Sequence, residues 1–501
     1  MHATIAASLL LTSILFNETD SRCVLKRSEV VFMYAASDEA YKVYQASFVA
    51  WGGANTKDEV ERHHALGVRC TGSMWCLTPG AELIHKDPEI RNACAVDIEG
   101  KPIEVPWLFD HTYEGTPSYF GCTNHPVFQA LCQERVRNAM AGGADGLHVD
   151  DHLGVASPAW WHGGGFCEHC MAGFRDYLKE HASKEQLKEA RIEDLEDFDY
   201  RELVRKVAPT REDYKKRQNE IPLYDLFKRF HVEAAAEHTR RLGELASEVA
   251  GRPVLLSANA GIPSEAHTYV LKYLTHVVCE VGQNAASGTR SLDHALQAYE
   301  LASNAGKPLA ATASGWDWAF VYDHHCEELV RFWIALAYSQ GQRFMVPHPK
   351  KQWCFNNERG THWYEAPIEA YAPMYRFIRN HPELFDGLEA NENCEMESPE
   401  DVFVALRCPP KGQPSSDAFP QAVLHCLNRD YDSEAQKMNP QKDATVLLRS
   451  SWIPASIKEV KVYAYDADPY CVPIQAEDGS IRITLPTLRL WSLVAIPADA
   501  K

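Results

Sequence analysis

Between Val30 and about Pro347, short apolar runs alternate with longer stretches whose apolar positions recur every three or four residues. Eight runs have strand character. They begin at Val30 (VVFMYAA), Gly67 (GVRCTGSMW), Ser118 (SYFGC), Gly146 (GLHVDD), Pro253 (PVLLSAN), His276 (HVVCEVG), Pro308 (PLAATAS) and Arg343 (RFMVP). Near-continuous apolar runs describe strands buried on both faces, as in a parallel sheet covered by helices. The stretches Pro126–Ala141, Leu223–Val249, Thr289–Asn304 and Cys326–Ser339 each carry one apolar and one charged face, the pattern of an amphipathic helix. Gly143, Gly251 and Gly306 stand just before strand runs, where a helix needs a left-handed terminating residue. The alternation predicts the α/β class. Eight units in roughly 320 residues fit a (β/α)8 TIM barrel better than a doubly wound sheet. The doubly wound alternative needs a glycine-rich phosphate turn after its first strand, and VVFMYAASDEA has none.

Two stretches depart from this grammar. Residues 179–220 are dense in Lys, Glu, Asp and Arg, and read as a helical insertion after the fourth strand with a solvated charged face. Beyond His381, the runs Val402–Arg407, Ala422–Asn428, Thr445–Arg449, Val460–Ala464, Ile481–Leu485 and Leu490–Ile496 are short and β-like, separated by turn-rich loops. They predict a small C-terminal antiparallel β-sandwich. The expected organisation is an export signal or N-terminal extension over 1–27, a catalytic barrel over 28–385, and the sandwich over 386–501. Ala3–Phe16 has the length of a signal-peptide core but lacks a basic leader and a small-x-small cleavage site. Export to the periplasm or medium and retention in the cytoplasm therefore both stay open.

Composition narrows the partners. With 50 basic and 69 acidic residues the net charge is −19, which repels nucleic acid and anionic membrane. Self-association into a homo-oligomer stays open. Twelve tryptophans, many beside Gly, Pro or His, supply core packing and, in loops, platforms for sugar rings. Fifteen cysteines are scattered and odd in number, which fits buried free thiols better than a disulfide framework.

In such a barrel the loops after the strand C-termini build the active site. The fourth run gives the strongest signal, Asp145-Gly-Leu-His-Val-Asp-Asp-His152. Alternation puts His148 and Asp150 on one side of the strand, away from Leu147 and Val149. Paired carboxylates and histidines at a strand end call for a partner: a cap, a substrate or a metal. The sixth run ends in Cys279-Glu280-Val281-Gly282-Gln283-Asn284, a second inward carboxylate. Glycosidic cleavage uses two carboxyls flanking one bond, so Asp150 is assigned as nucleophile and Glu280 as general acid/base. The expected sugar-binding groups are His148, Asp151, His152, Trp75, Trp160, Asn259, Asn284, Trp316, Asp317 and His348. Asp317 is the reserve carboxylate and Glu114 a weaker one.

The run Gly164–Leu178, with Cys167, Cys170, Phe174 and Leu178, resembles the cysteine-rich element of family 42 β-galactosidases, and Cys122-Thr-Asn-His-Pro126 is similar to that family's turn after its third strand. The resemblance implies a structural zinc held by cysteines. Gly165 stands at the position of one of them, which leaves Cys122, Cys167 and Cys170 with His162 or His169 as a fourth ligand, against free thiols or a disulfide. The family's strand-four Asn-Glu pair is replaced by Asp151-His152. The Asp-Gly-Leu-His-Val-Asp pattern is instead similar to the α-amylase, α-galactosidase and α-L-fucosidase groups, whose nucleophile is an aspartate on strand four, matching Asp150. These likenesses imply a retaining hydrolase of oligo- or polysaccharides with no cofactor required for catalysis. The alternatives are a non-hydrolytic sugar-binding or lyase relative of the barrel, and a metal-dependent carbohydrate deacetylase built on Asp150, Asp151 and His152.

Overall fold

The computed structural model describes residues 25–497 except 53, 356–362, 392, 411–419, 451–452, 454–455 and 478. The apolar segment Ala3–Phe16 lies outside the described residues. Eight short parallel strands succeed one another in chain order: β1 (Val31–Phe32), β2 (Phe48–Val49), β3 (Arg69–Trp75), β4 (Gly146–Asp150), β5 (Leu255–Ala258), β6 (Val277–Val281), β7 (Leu309–Ala313) and β8 (Arg343–Phe344). Strands β1 to β5 pair side by side, and so do β6 to β8. A parallel bridge from Asn259 to Val278 joins the two groups at one seam, and a bridge from Phe32 to Val346 joins them at the other.

One expected strand is corrected. Ser118–Cys122 makes only isolated antiparallel bridges, Glu104 with Tyr119 and Cys94 with Gly121, in an excursion between β3 and the helix Pro126–Met140. Its place in the parallel series is taken by β2, only Phe48 and Val49 long. Trp75 therefore ends the third strand, not the second. The helices fall where the apolar period puts them, at Pro126–Met140, Tyr224–Ala250, Asp293–Asn304 and Glu327–Ser339. The longest ends at Gly251 in the left-handed conformation, its N–H closing onto Glu248. Between β4 and β5 the chain forms helices Glu168–His181, Lys184–Glu189, Tyr200–Val207 and Arg211–Arg217. These enclose a separate aromatic core around Phe166, Phe174, Tyr200 and Phe227.

After Leu388 the strands are antiparallel; nine belong to one sheet, and Tyr431–Asp432 and Lys437–Met438 form a separate hairpin. Ala467–Glu477 passes from one half to the other, pairing first with Glu459–Ala464 and then with Ser480–Leu488. The sheet curls around its own core of Val446, Leu448, Ile481, Ile483 and Leu485, so the expected sandwich is realised as one curled sheet. Among the described residues, no helix is long and apolar enough to cross a membrane.

Candidate active site

The C-terminal ends of the strands set three carboxyls together. Register places Asp150 one step beyond Val149, which pairs with Ala258, so Asn259 stands beside it on β5. The Asn259 amide donates to Asp150 Oδ1 at 3.3 Å and also hydrogen-bonds Glu280 on β6. One amide thus spans both carboxyls. The Asp151 backbone N–H donates to the same Asp150 oxygen at 3.0 Å, and Trp51 at the end of β2 adds a side-chain hydrogen bond. To make this turn Asp151 takes φ 49°, a left-handed conformation that a residue with a side chain adopts at some cost.

Burial separates the protonation states of this cluster. Desolvation, and then the charge of Asp150, push Glu280 up to about 7. Desolvation also raises Asp150, but three hydrogen bonds to its carboxylate oppose the rise. Asp151 is raised well above the carboxylate range by burial and by the charges of Asp150 and Glu280. Tyr34, at the end of β1, is raised by burial and by the same two carboxyls, so its hydroxyl stays a donor. Above them lies a cleft of about 530 Å³ lined in part by Tyr34, Trp51, Trp75, Asp150, Lys351 and Trp363. Trp75 is 42% exposed there. A file of rings leads away from the cleft: Tyr34 to Trp363 at 6.2 Å, Trp363 to Trp353 at 5.6 Å, Trp353 to Phe355 at 5.6 Å and Phe355 to Trp316 at 5.1 Å.

Several expected binding residues do other work. His148 is fully buried against Trp51, bonds Ser257 through Nδ1 at 3.0 Å, and is lowered by burial to about 3. It is a neutral core group beneath the cleft. His152 turns the other way, into a buried pair with His267 at 3.1 Å, with Trp161 lying over His267. His348 accepts through Nδ1 from the backbone of Lys350 and Lys351, at 3.1 and 2.8 Å, and its Nε2 donates to Ala35. It shapes the loop that delivers Lys351. Asp317 is consumed by backbone: it caps its own helix with Ser314 and accepts from Gln283 N and Ala285 N, both at 2.8 Å. Asn284 is exposed on that same loop, at φ 53°. Trp160 packs beside Leu153 and Val232 under the Lys228 ammonium, and Glu114 faces solvent beside His85. Tyr34, Trp51, Lys351 and Trp363 join the site without having been singled out in the sequence.

The described cysteines are all free thiols, most of them buried. The Sγ atoms of Cys122, Cys167 and Cys170 lie 3.4–3.5 Å apart, and Asn124 donates to Cys170 at 3.4 Å. Hydrogen bonds from its neighbours' thiols hold Cys167 far below the usual range, at about 2. Neither suggested histidine completes the group. His169 packs edge-on against His125 at 4.4 Å, and His162 stacks on Phe120. At Gly165, the missing cysteine position, a Cβ would sit 2.5 Å from Nε2 of His231, whose ring fills that space.

Comparisons with solved structures agree, at the level of fold, with an α/β body followed by a curled antiparallel sheet. A cycloisomaltooligosaccharide glucanotransferase from Paenibacillus, solved with cycloisomaltoheptaose, superposes with TM-score 0.60 at 9% identity over 94% of this chain and 85% of that one. The α-L-fucosidase isoenzyme 2 of Paenibacillus thiaminolyticus gives 0.53 at 11% identity, over 95% and 100%. A maltogenic α-amylase from Thermotoga neapolitana gives 0.51 at 11%, over 93% and 98%. No family model and no curated protein matches the sequence.

Proposed function

We propose that this protein is a retaining glycoside hydrolase on a (β/α)8 barrel, with Asp150 as nucleophile and Glu280 as general acid/base. The two bridges that join the parallel strands at both seams support the closed-barrel reading. The observation that carries the chemistry is the Asn259 amide shared by two carboxyls of unequal acidity. A carboxyl at about 7 holds the proton a leaving oxygen needs, while three hydrogen bonds to the Asp150 carboxylate favour its ionised form. One amide reaching both carboxyls keeps them within about 6 Å of each other, two hydrogen-bond lengths at an open angle, which fits a nucleophile better than a water-activating base.

In the first step Asp150 attacks the anomeric carbon, and the glycosidic C–O bond breaks as its oxygen takes the Glu280 proton. In the second step Glu280 accepts a proton from water, whose oxygen displaces Asp150 and releases the sugar. Trp75 and the Tyr34–Trp363 pair offer ring faces to the sugar. The carbohydrate is a neutral ligand suited to this acidic molecule.

The deacetylase alternative loses its ligands, because His152 is committed to His267. Among the described residues, no metal-capable group contains Asp150. For the second cysteine cluster, Cys122, Cys167 and Cys170 are the residues that would hold a structural zinc, with one position left to a ligand the structure does not bring in.

The test is turnover of a panel of aryl glycosides by Asp150→Asn and Glu280→Gln. Each should lose at least about 10³-fold in kcat while still binding product sugar. Wild-type turnover by either variant on a substrate the parent cleaves would sink the assignment. Binding without turnover by the parent on every glycoside would favour the non-hydrolytic alternative.

A further inference from the structure

A third cluster lies behind the cleft, in residues the proposed chemistry does not use. Cys76 follows Trp75 at the end of β3, Cys132 sits on Pro126–Met140, and His238 sits on Tyr224–Ala250. Three elements distant in sequence thus place two thiols and an imidazole with their ligand atoms all within 4.8 Å of one another. All three side chains are buried, the cysteines completely and His238 to 3% exposure. His238 Nε2 has no hydrogen-bond partner, although the nitrogen is shut off from solvent. A buried ring nitrogen left without a partner is destabilising, so its place beside two thiols asks for an acceptor of its lone pair.

We propose that Cys76, Cys132 and His238 bind one zinc ion, or a cation of the same thiophilic, tetrahedral class. The donor set is two sulfurs and one imidazole nitrogen, which zinc prefers over calcium, magnesium or manganese. Ligand atoms around tetrahedral zinc stand about 3.5–3.8 Å apart, so closure from a spacing within 4.8 Å needs a contraction of at most about 1.3 Å. Binding displaces the Cys76 and Cys132 protons to solvent and leaves His238 neutral. The Arg135 guanidinium is fixed by Trp75 O and Thr78 O at 2.9 Å and by Pro79 O at 2.8 Å, wrapping the loop that carries Cys76. With three protein ligands, the fourth position falls to water.

The ion would brace the catalytic end of the barrel. Cys76 N donates to Asp150 O at 3.0 Å, so a tether on Cys76 ties the end of β4 to two helices of the outer layer. This cluster shares no residue with Cys122, Cys167 and Cys170, and a metal count alone would confuse the two.

The experiment therefore starts from the full chain carrying Cys122→Ser, Cys167→Ser and Cys170→Ser, purified without chelator and analysed by elemental and native mass spectrometry. One zinc per chain is expected, falling to background when Cys132→Ser or His238→Gln is added. Cobalt(II) loading of the same background should give a thiolate charge-transfer band that Cys132→Ser weakens and His238→Gln shifts. If the triple variant does not fold, wild-type protein and His238→Gln are compared instead, and the expected difference is one ion per chain with affinity weakened more than about 100-fold. Metal-free background protein, full retention of the ion in both added variants, or a Cys76–Cys132 disulfide without metal would each overturn the assignment.

Discussion

At the scale of single residues, the proposed mechanism makes the carboxyl of Glu280 govern both rate and stability. On that mechanism its acid form donates to the leaving oxygen, so kcat/KM should fall as pH rises through about 7, and fall again at low pH as Asp150 protonates. The same group penalises the fold. Its pKa is raised on folding from 4.5 to about 7, so the native state binds more protons than the unfolded chain in that window, and stability declines as pH rises across it. Below 4.5 both states are protonated and nothing is lost. Glu280→Gln should therefore be more stable than the parent above pH 7, by on the order of 2–3 kcal/mol, and equal to it near pH 4. Urea unfolding at pH 4.5 and pH 8 measures the difference, and a variant no more stable at pH 8 would contradict a buried, electrostatically raised Glu280. A core chosen for stability alone would hold an amide there in place of a buried acid.

At the scale of elements, the loops after β6 and β7 depend on Asp317. Its two oxygens accept from Gln283 N and Ala285 N as well as from Ser314, so one carboxylate fastens the turn beyond Glu280 to the first turn of Gly315–His324. Asp317→Ala leaves two buried N–H groups without acceptors and removes a helix cap, a loss of about 3 kcal/mol in denaturant unfolding. Asp317→Asn should keep turnover within about tenfold of the parent, whereas Asp150→Asn should not, and equal losses in the two would restore Asp317 as a catalytic candidate. This element also shows where sequence reading stops. Strand ends were legible because a parallel strand buried on both faces is a continuous apolar run, and Asp150, Asn259 and Glu280 stand at the C-terminal ends of such runs. Whether a polar residue at a strand end faces substrate or backbone is a matter of loop path, so Asp317 and His348 looked like Asp150 and Glu280. β2 escaped because two residues carry no period, and Trp51 escaped with it. There the signal is structural: Gly52 holds φ 115° where a Cβ would meet the Ser73 side chain at 2.3 Å, so the chain must pass close beside β3.

At the scale of the molecule, the curled sheet is fused to the parallel body by a shared core. Trp491 is 1% exposed and belongs to the same apolar cluster as Trp333, Phe344 and Tyr375, while the inner face of the sheet keeps a core of its own. Its indole stacks on His425 at 5.9 Å and meets Phe377 edge-on at the same distance. Polar ties run across the same boundary. Arg407 donates to Ser339 O at 3.3 Å, Met438 N to Glu328 at 2.6 Å, and Thr289 Oγ1 to Arg429 O at 2.5 Å. Thr289 follows the loop that Asp317 holds in place beyond Glu280. A sheet bound this way is part of the scaffold and not a tethered accessory, so heat should unfold the protein in one transition. Trp491→Ala opens a cavity in the common core and should cost roughly 3–5 kcal/mol, lowering that transition as a whole. Scanning calorimetry of parent and variant distinguishes the cases. Two parent transitions, of which Trp491→Ala moves only one, would mean that the sheet folds independently and that its loss would leave the active site intact. One transition that moves as a unit means that the carboxyls at the strand ends are held in place by residues more than a hundred positions further along the chain.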